Sequence, residues 1–318
     1  VRAVQVVRLE GPAAVEVRDV PEPDRGADQV LVDVRAAGVN FPDVLQSKGQ
    51  YQYKPDLPFT LGSEIAGVVR EAPEGAAVRA GDRVAAFTTV GGFAEVVAAP
   101  AGYVFPLPDE VSFAAGACLP MNYLTAQFAL RRRGHLEAGQ RVLVQGAAGG
   151  VGTACVQLAA ALGAEVVAVV STEEKAEVAR RAGAAHAVLV EGFRDAVKEL
   201  GGVDLVVDPV GGDRFTDSLR CLRPEGRLLV IGFTAGDIPT VKVNRLLLNN
   251  IDVVGVGWGA FAMPRDGFVA EQWADLLPHL RSGALDPVVG ATYPLADAAA
   301  ALAEIDERRV TGKVVLEP

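Results

Sequence analysis

The sequence predicts an α/β protein in which an antiparallel β domain is joined to a doubly wound parallel sheet. Three observations carry this. Residues 1 to about 120 form short alternating runs broken by Pro, Gly and Asp. After Pro120, nearly continuous apolar runs alternate with helical stretches. Within that second block, RVLVQGAAGGVGTACVQLAAALGAEVVAVVS (141–171) sets a Gly-rich turn where a strand opens into a helix.

Strands of the first block are expected at 3–9, 14–20, 29–36, 64–70 and 93–98. Apolar and polar residues alternate along them, as on a sheet with one buried face. PEPDRGAD, KPDLP, EGAAVRAGD and GG supply the turns between them. Frequent Pro suits a bent, barrel-like antiparallel sheet. After the third run comes GVNFPDVLQSKGQY (38–51), which groups Asn40, Asp43, Gln50 and Tyr51 without a Cys or His. Asp43 is read as an acceptor for backbone N–H groups.

In the second block VLV (142–144) leads into a helix over about 152–162, and VVAVV (166–170) into EEKAEVARRAG. A short strand near 186–190 precedes FRDAVKEL, DLVVD (204–208) precedes FTDSLRCL, and RLLVIG (227–232) follows. VVGVGW (253–258) reads as one more strand, at the sheet edge. Strands this apolar are buried on both faces, which is the mark of a parallel sheet. Repeated β-α-β units make that sheet doubly wound. The tail returns to helix, helix and strand in FVAEQWADLLPHLRSG, DAAAALAEIDERR and KVVLE.

A length of 318 residues suits two domains, and half of them are hydrophobic, enough for large cores. The net charge of −10, with RRR at 131–133 as the one basic cluster, argues against a nucleic-acid partner. That run reads as a solvated helix end. No apolar run approaches bilayer length and no export signal opens the chain, so a cytoplasmic protein with no membrane partner is expected. Cys118, Cys155 and Cys221 are too far apart for a disulfide framework or a zinc motif, and His135, His186 and His279 are equally scattered.

The Gly-rich core runs Ala147, Ala148, Gly149, Gly150, Val151, Gly152. It reads as G-x-G-x-x-G with Ala147 in place of the first Gly. Gly149 would admit a pyrophosphate to the backbone, Gly152 would let helix and strand pack closely, and the helix N-terminus would face the phosphates. The next strand ends Val169, Val170, Ser171, Thr172 with no carboxylate before Glu173. The acid that would hold an NAD ribose is missing, and Lys175 follows at a reach suited to a 2′-phosphate, so the expected cofactor is NADPH. The same residues also read as a capping box from Ser171 to Glu174 with Lys175 solvated.

GVNFPD, LGSEIAG, VRAGDRV (78–84), AAGGVG, DPVGG (208–212), VIGFTAG (230–236) and the terminal TGKVVLEP, in this order, resemble the zinc-independent quinone oxidoreductase (zeta-crystallin-like) branch of the medium-chain dehydrogenase/reductase superfamily. The resemblance covers essentially the whole chain. It implies a GroES-like domain from 1–121 and 266–318 and a Rossmann domain from 122–265. It implies that Asn40 lies by the nicotinamide, that Thr125 contacts the cofactor, and that Gly232 and Phe233 form the loop beside the nicotinamide. The zinc enzymes of the superfamily use Cys where this chain has Asn40 and His where it has Ser63, and Asn and Ser are poor ligands beside thiolate and imidazole, so no metal is expected. Where some members place an aromatic near the adenine, this chain has Val190.

Without a Lewis acid, the reaction most easily run is hydride transfer to a substrate already electrophilic, a quinone or an enone. Tyr51 resembles the tyrosine that related enoyl-thioester reductases place near the reacting double bond. It is a candidate proton donor, or else an aromatic wall of the pocket. The alternatives are an enoyl-thioester reductase, with Lys48 and Lys54 as the basic groups near the site, and a non-catalytic NADPH-binding protein. The edge run 253–258 and the family both imply a homodimer.

Overall fold

The structure, a computed structural model, describes residues 1–318. The chain divides into two compact units. The first holds Val1–Asn122, Asp266–Arg281 and Asp286–Pro318, and the second holds Tyr123–Arg265 and Ser282–Leu285.

The strands are numbered in chain order. The first unit opens with β1 (Arg2–Val6), β2 (Val15–Asp19), β3 (Gln29–Val39), β4 (Phe59–Thr60), β5 (Glu64–Glu71), β6 (Arg83–Phe87), β7 (Val96–Pro100) and β8 (Val104–Pro106). The second unit holds β9 (Arg141–Gln145), β10 (Glu165–Val170), β11 (His186–Leu189), β12 (Val203–Asp208), β13 (Leu222–Val230) and β14 (Asp252–Gly255). The chain then returns to the first unit with β15 (Val289–Pro294) and β16 (Lys313–Glu317).

In the first unit a small sheet has the order β2-β1-β4, and a larger one runs β15-β16-β3-β5-β6-β8 with β7 also on β3. All its pairs are antiparallel except β15 with β16. Alternation explains why: Val30, Val32 and Val34 of β3 point into one core with Ile65, Val84 and Phe93. The terminal strand β16 joins that core through Val314 and Leu316. It lies antiparallel to the end of β3, with Val314 opposite Val39.

The second unit carries one parallel sheet in the order β11-β10-β9-β12-β13-β14. Val142, Leu143 and Val144 of β9 are fully buried, as a strand covered on both faces must be. The strand order reverses between β9 and β12, the switch point where α/β sheets bind ligands beyond their carboxyl ends.

Two expectations are corrected, the extent of the edge run and of the strand at 93–98. The edge run stops at Gly255, and Trp258 opens a short helix, Trp258–Ala262, with its side chain buried. The run GVNFPDVLQ, to which the sequence reading assigned no element, contains a helix, Phe41–Ser47, entered through a Pro in its first turn. Residues 93–95 precede β7 rather than belong to it, with Phe93 N–H bonded to Leu61 O at 2.8 Å. Arg131, Arg132 and Arg133 close a π-helical segment and are exposed, as a solvated helix end should be; Arg133 Nε donates to Gly255 O at 2.9 Å and Arg132 lies over the Phe261 ring at 4.8 Å.

Candidate active site

In the first unit, the end of β3 delivers Asn40 and the start of β5 delivers Glu64. Asn40 N–H donates to Asp43 Oδ2 at 2.7 Å, which closes the first turn of helix Phe41–Ser47 and fulfils the reading of Asp43 as a backbone acceptor. The Asn40 side chain faces the other way. Its Nδ2 donates to Glu64 Oε1 at 2.8 Å, and its Oδ1 accepts from Lys313 Nζ at 2.7 Å. Lys313 Nζ also donates to Glu64 Oε1 at 2.7 Å and Val39 O at 2.9 Å, and Glu64 Oε2 accepts from Met121 N–H at 2.7 Å. Asn40, Glu64 and Lys313 are all buried.

Asp43 is buried beside this cluster. Desolvation pushes its carboxyl up to about 7, against the pull of Asn40 N–H and the Lys313 ammonium. Its Oδ1 has no hydrogen-bond partner, nor has Oε1 of Gln46, one turn along the same helix. Tyr51 is half-buried, and its hydroxyl is pushed above the ordinary tyrosine range first by burial and then by the charge of Asp43. It is therefore protonated at neutral pH.

In the second unit the loops after β9, β10, β12 and β13 all leave the carboxyl edge of the parallel sheet. The turn after β9 is left-handed at Gly146, φ 60°, one residue before the Ala147 that the motif places in the first glycine's position. Ala147 N–H bonds Val169 O of β10 at 3.3 Å, and Gly149 N–H bonds Gly146 O at 3.0 Å. The helix Gly150–Ala161 follows, with Gly149 as its N-cap. The N–H groups of Gly150, Val151 and Gly152 lie in its first turn, where no intrahelical acceptor exists. A Cβ on Gly152 would stand 2.2 Å from Gly146 O, so glycine is required there. A Cβ on Gly149 would meet nothing nearer than Gly146 O at 3.5 Å. Its absence is not required by packing, and it leaves the backbone open on that side.

The capping box is displaced by one residue: Thr172 Oγ1, not Ser171, accepts the Lys175 N–H at 3.3 Å. Ser171 is exposed, and Lys175 is half-buried in the first turn of helix Glu173–Arg181. The loops after β12 and β13 are stitched together. Asp208 Oδ1 accepts the Val210 and Gly211 N–H groups at 2.8 and 2.9 Å, and Thr234 and Ala235 N–H bond Pro209 O and Val210 O at 3.1 and 3.0 Å. Gly232 and Phe233 lie on this stitched loop, with the Phe233 ring against Gly211. Thr125 is buried on helix Leu119–Gln127.

Two family models match the chain: the alcohol dehydrogenase GroES-like domain over residues 26–109 and the zinc-binding dehydrogenase over 150–280. A quinone oxidoreductase-like protein 2 of Mus musculus is 36% identical over 322 residues, covering 99% of this chain and 91% of that protein. The chain belongs to the quinone oxidoreductase branch of the medium-chain dehydrogenase/reductase superfamily. A probable oxidoreductase from Mycobacterium abscessus is 44% identical with a TM-score of 0.92, covering 100% of this chain and 98% of that one. The quinone oxidoreductase from Thermus thermophilus, solved also in complex with NADPH, is 38% identical with a TM-score of 0.88, and each chain covers all of the other. The chain is thus a quinone oxidoreductase-like enzyme of this superfamily.

Zinc, which one family name implies, does not suit these residues. Asn40 and Ser63 are weak donors, and the Lys313 ammonium already sits 2.7 Å from both Asn40 Oδ1 and Glu64 Oε1. A divalent cation there would meet a fixed positive charge. A dinucleotide does suit the turn at 146–152, with its open Gly149 and its row of first-turn amides. The residues that sequence reasoning missed are Glu64 and Lys313. The signal was a lysine within KVVLE, a strand otherwise apolar to its final residue.

No helix is long and apolar enough to cross a membrane. The three thiols, all buried, are pushed up to about 12 by desolvation, as suits cysteines that serve packing.

Proposed function

We propose that this enzyme is an NADPH-dependent reductase acting on a quinone or an activated alkene such as an enone, without a metal. The observation that carries the reading is the turn at Gly146–Gly152, with Gly149 open and the amides of Gly150, Val151 and Gly152 directed from a helix N-terminus. Those amides and Ala148 hold the pyrophosphate. Ser171 and Lys175 take the 2′-phosphate, since β10 ends at Val170 with no carboxylate before Glu173 to claim a ribose hydroxyl. Thr125, Gly232 and Phe233 line the nicotinamide half, and Asn40 orients its carboxamide end. NADPH, when bound, supplies the hydride. Tyr51, held protonated, supplies a proton to the reduced substrate.

The Lys313 charge beside Asn40 supports the substrate class. Lys313 is committed to three acceptors and stands where a Lewis acid would be needed, so the carbonyl of an unactivated ketone finds no electrophilic help. Quinones and enones need none. For the enoyl-thioester alternative, Lys48 Nζ is paired with Asp306 at 2.6 Å, which leaves the exposed Lys54 as its basic group.

Steady-state NADPH oxidation against benzoquinones, naphthoquinones, enones and enoyl-CoA esters tests the reading. Turnover with quinones or enones is expected. Turnover confined to enoyl-CoA would favour the thioester alternative, and NADPH binding without turnover on any acceptor would leave a binding protein.

A further inference from the structure

Lys313 is 4% exposed and lies 249 residues from Glu64 along the chain. A buried ammonium must place its donors on acceptors, and this one reaches Val39 O, Asn40 Oδ1 and Glu64 Oε1. Glu64, fully buried, takes Lys313 Nζ and Asn40 Nδ2 on Oε1 and Met121 N–H on Oε2. The ammonium can only donate and the carboxylate can only accept. An amide held between them has one permitted orientation, with Oδ1 toward the lysine and Nδ2 toward the glutamate. A flip would set N–H against ammonium and oxygen against carboxylate, losing two charge-assisted bonds. Nδ2 also donates to Gly38 O at 3.3 Å and reaches Ser63 Oγ at 3.5 Å, longer bonds than the one to Glu64, so its second proton is the more weakly held and the one a ligand can draw.

Stability does not explain such a pair. Replacing a buried ion pair by apolar or neutral groups of similar volume is commonly neutral or stabilising. Orientation does explain it, because neutral neighbours would accept either face of the amide.

We propose that Lys313 and Glu64 are positioning residues which lock the Asn40 amide so that one defined N–H meets the nicotinamide end of the cofactor. This rests on the NADPH reading above. Its consequence is that the rate of hydride transfer, and not cofactor affinity, depends on a lysine in the last strand of the chain.

The paired variant Lys313→Met with Glu64→Gln removes both charges together and leaves no lone buried ion. It is expected to bind NADPH with unchanged Kd while its single-turnover reduction of a quinone slows ~10- to 100-fold, the scale of a misplaced reacting group. KM for the quinone should stay put. In the ligand-free protein, the side-chain amide ¹H–¹⁵N signals of Asn40 should shift and broaden as the amide gains a second orientation. Wild-type turnover rates with altered amide signals would overturn the positioning role, and unaltered signals would overturn the lock itself. Should the paired variant not fold, the ligand-free wild type decides. Its Asn40 amide must show one strongly downfield proton, bonded to carboxylate, and slow solvent exchange, and signals like those of the exposed Asn250 would sink the proposal. A wild type that neither binds nor oxidises NADPH would instead refute the functional reading, and the ligand-free amide signals would still test the lock.

Discussion

Asn40 and Tyr51 come from one short segment but are expected to fail differently when changed. On the proposed role of Asn40 in orienting the cofactor, Asn40→Ala should slow quinone and enone reduction alike, by on the order of 100-fold if the donor carbon shifts by about 1 Å. Tyr51 matters only when a proton moves in the slow step, where general-acid help is worth roughly 10²–10⁴-fold. Water can protonate a hydroquinone anion afterwards. Tyr51→Phe should therefore slow enone reduction strongly and quinone reduction by less than ~10-fold. Unchanged enone turnover would make Tyr51 a wall residue. Asp43 gives a second test at this scale. Its folded pKa, about 7, lies above the unfolded value of 3.8, so its share of stability is full below pH 3.8 and is lost as pH rises through 7. Each pH unit between those two values is worth about 1.4 kcal/mol, so the loss approaches ~4 kcal/mol as an upper bound. Asp43→Asn cannot ionise, so the stability difference between variant and wild type should grow in the variant's favour from pH 5 to 8. Parallel urea titrations across that range would show it, and a constant difference would place the Asp43 pKa near its ordinary value.

At the scale of elements, the turn between β9 and its helix separates a packing glycine from the glycine proposed to face the pyrophosphate. Gly152→Ala drives a Cβ to 2.2 Å from Gly146 O and 2.8 Å from Ala147 Cα, both backbone atoms that cannot move aside. Overpacking of this kind costs about 1–3 kcal/mol, so Tm should fall whether or not NADPH is present. Gly149→Ala meets only one contact, at 3.5 Å, and should leave the ligand-free Tm unchanged while weakening NADPH binding. Thermal melts with and without cofactor check both, and a drop in ligand-free Tm for Gly149→Ala would make that glycine structural. This turn was legible in the sequence because it depends on neighbours: a buried strand, glycines at fixed spacing, then a helix. The left-handed residue of the turn is Gly146, just before the motif, which the spacing alone does not mark. The helix Phe41–Ser47 was not read from the sequence, although Asn40 and an early Pro are start signals, because at seven residues it is too short to show a helical period. A lysine in the apolar strand KVVLE hinted at a buried charge, but its partner Glu64 could not be read. The pair joins residues 249 apart, and no periodicity in either strand marks a partner that distant.

At the scale of the molecule, the second unit ends its sheet in an edge that has to be covered. β14 is the last strand of the order, and it is four residues long. Arg133 already takes the Gly255 carbonyl, and the chain turns into a helix at Trp258, so the backbone edge open to pairing is shorter than the run 253–258 implied. An edge this short adds little by itself. The apolar surface just before it is larger. Ile238, Val243, Leu247 and Leu248 are 72–76% exposed, more than any other large hydrophobic residue of the chain. Four such side chains within eleven positions mark an interaction surface rather than scattered exposure. We propose a symmetric homodimer in which this patch and β14 meet their copies, with the leucines carrying the energy and the strand fixing the register. Burying a leucine is worth about 1.5–3 kcal/mol, and a two-fold interface counts each one twice. Leu247→Ser with Leu248→Ser should therefore weaken the dimer by on the order of 6 kcal/mol, enough to leave monomers at micromolar concentration. Sedimentation velocity should find a dimer for the wild type and a monomer for the variant, with the same NADPH affinity in both. A wild-type monomer would remove the dimer, and a variant that stays dimeric would move the interface elsewhere on the surface.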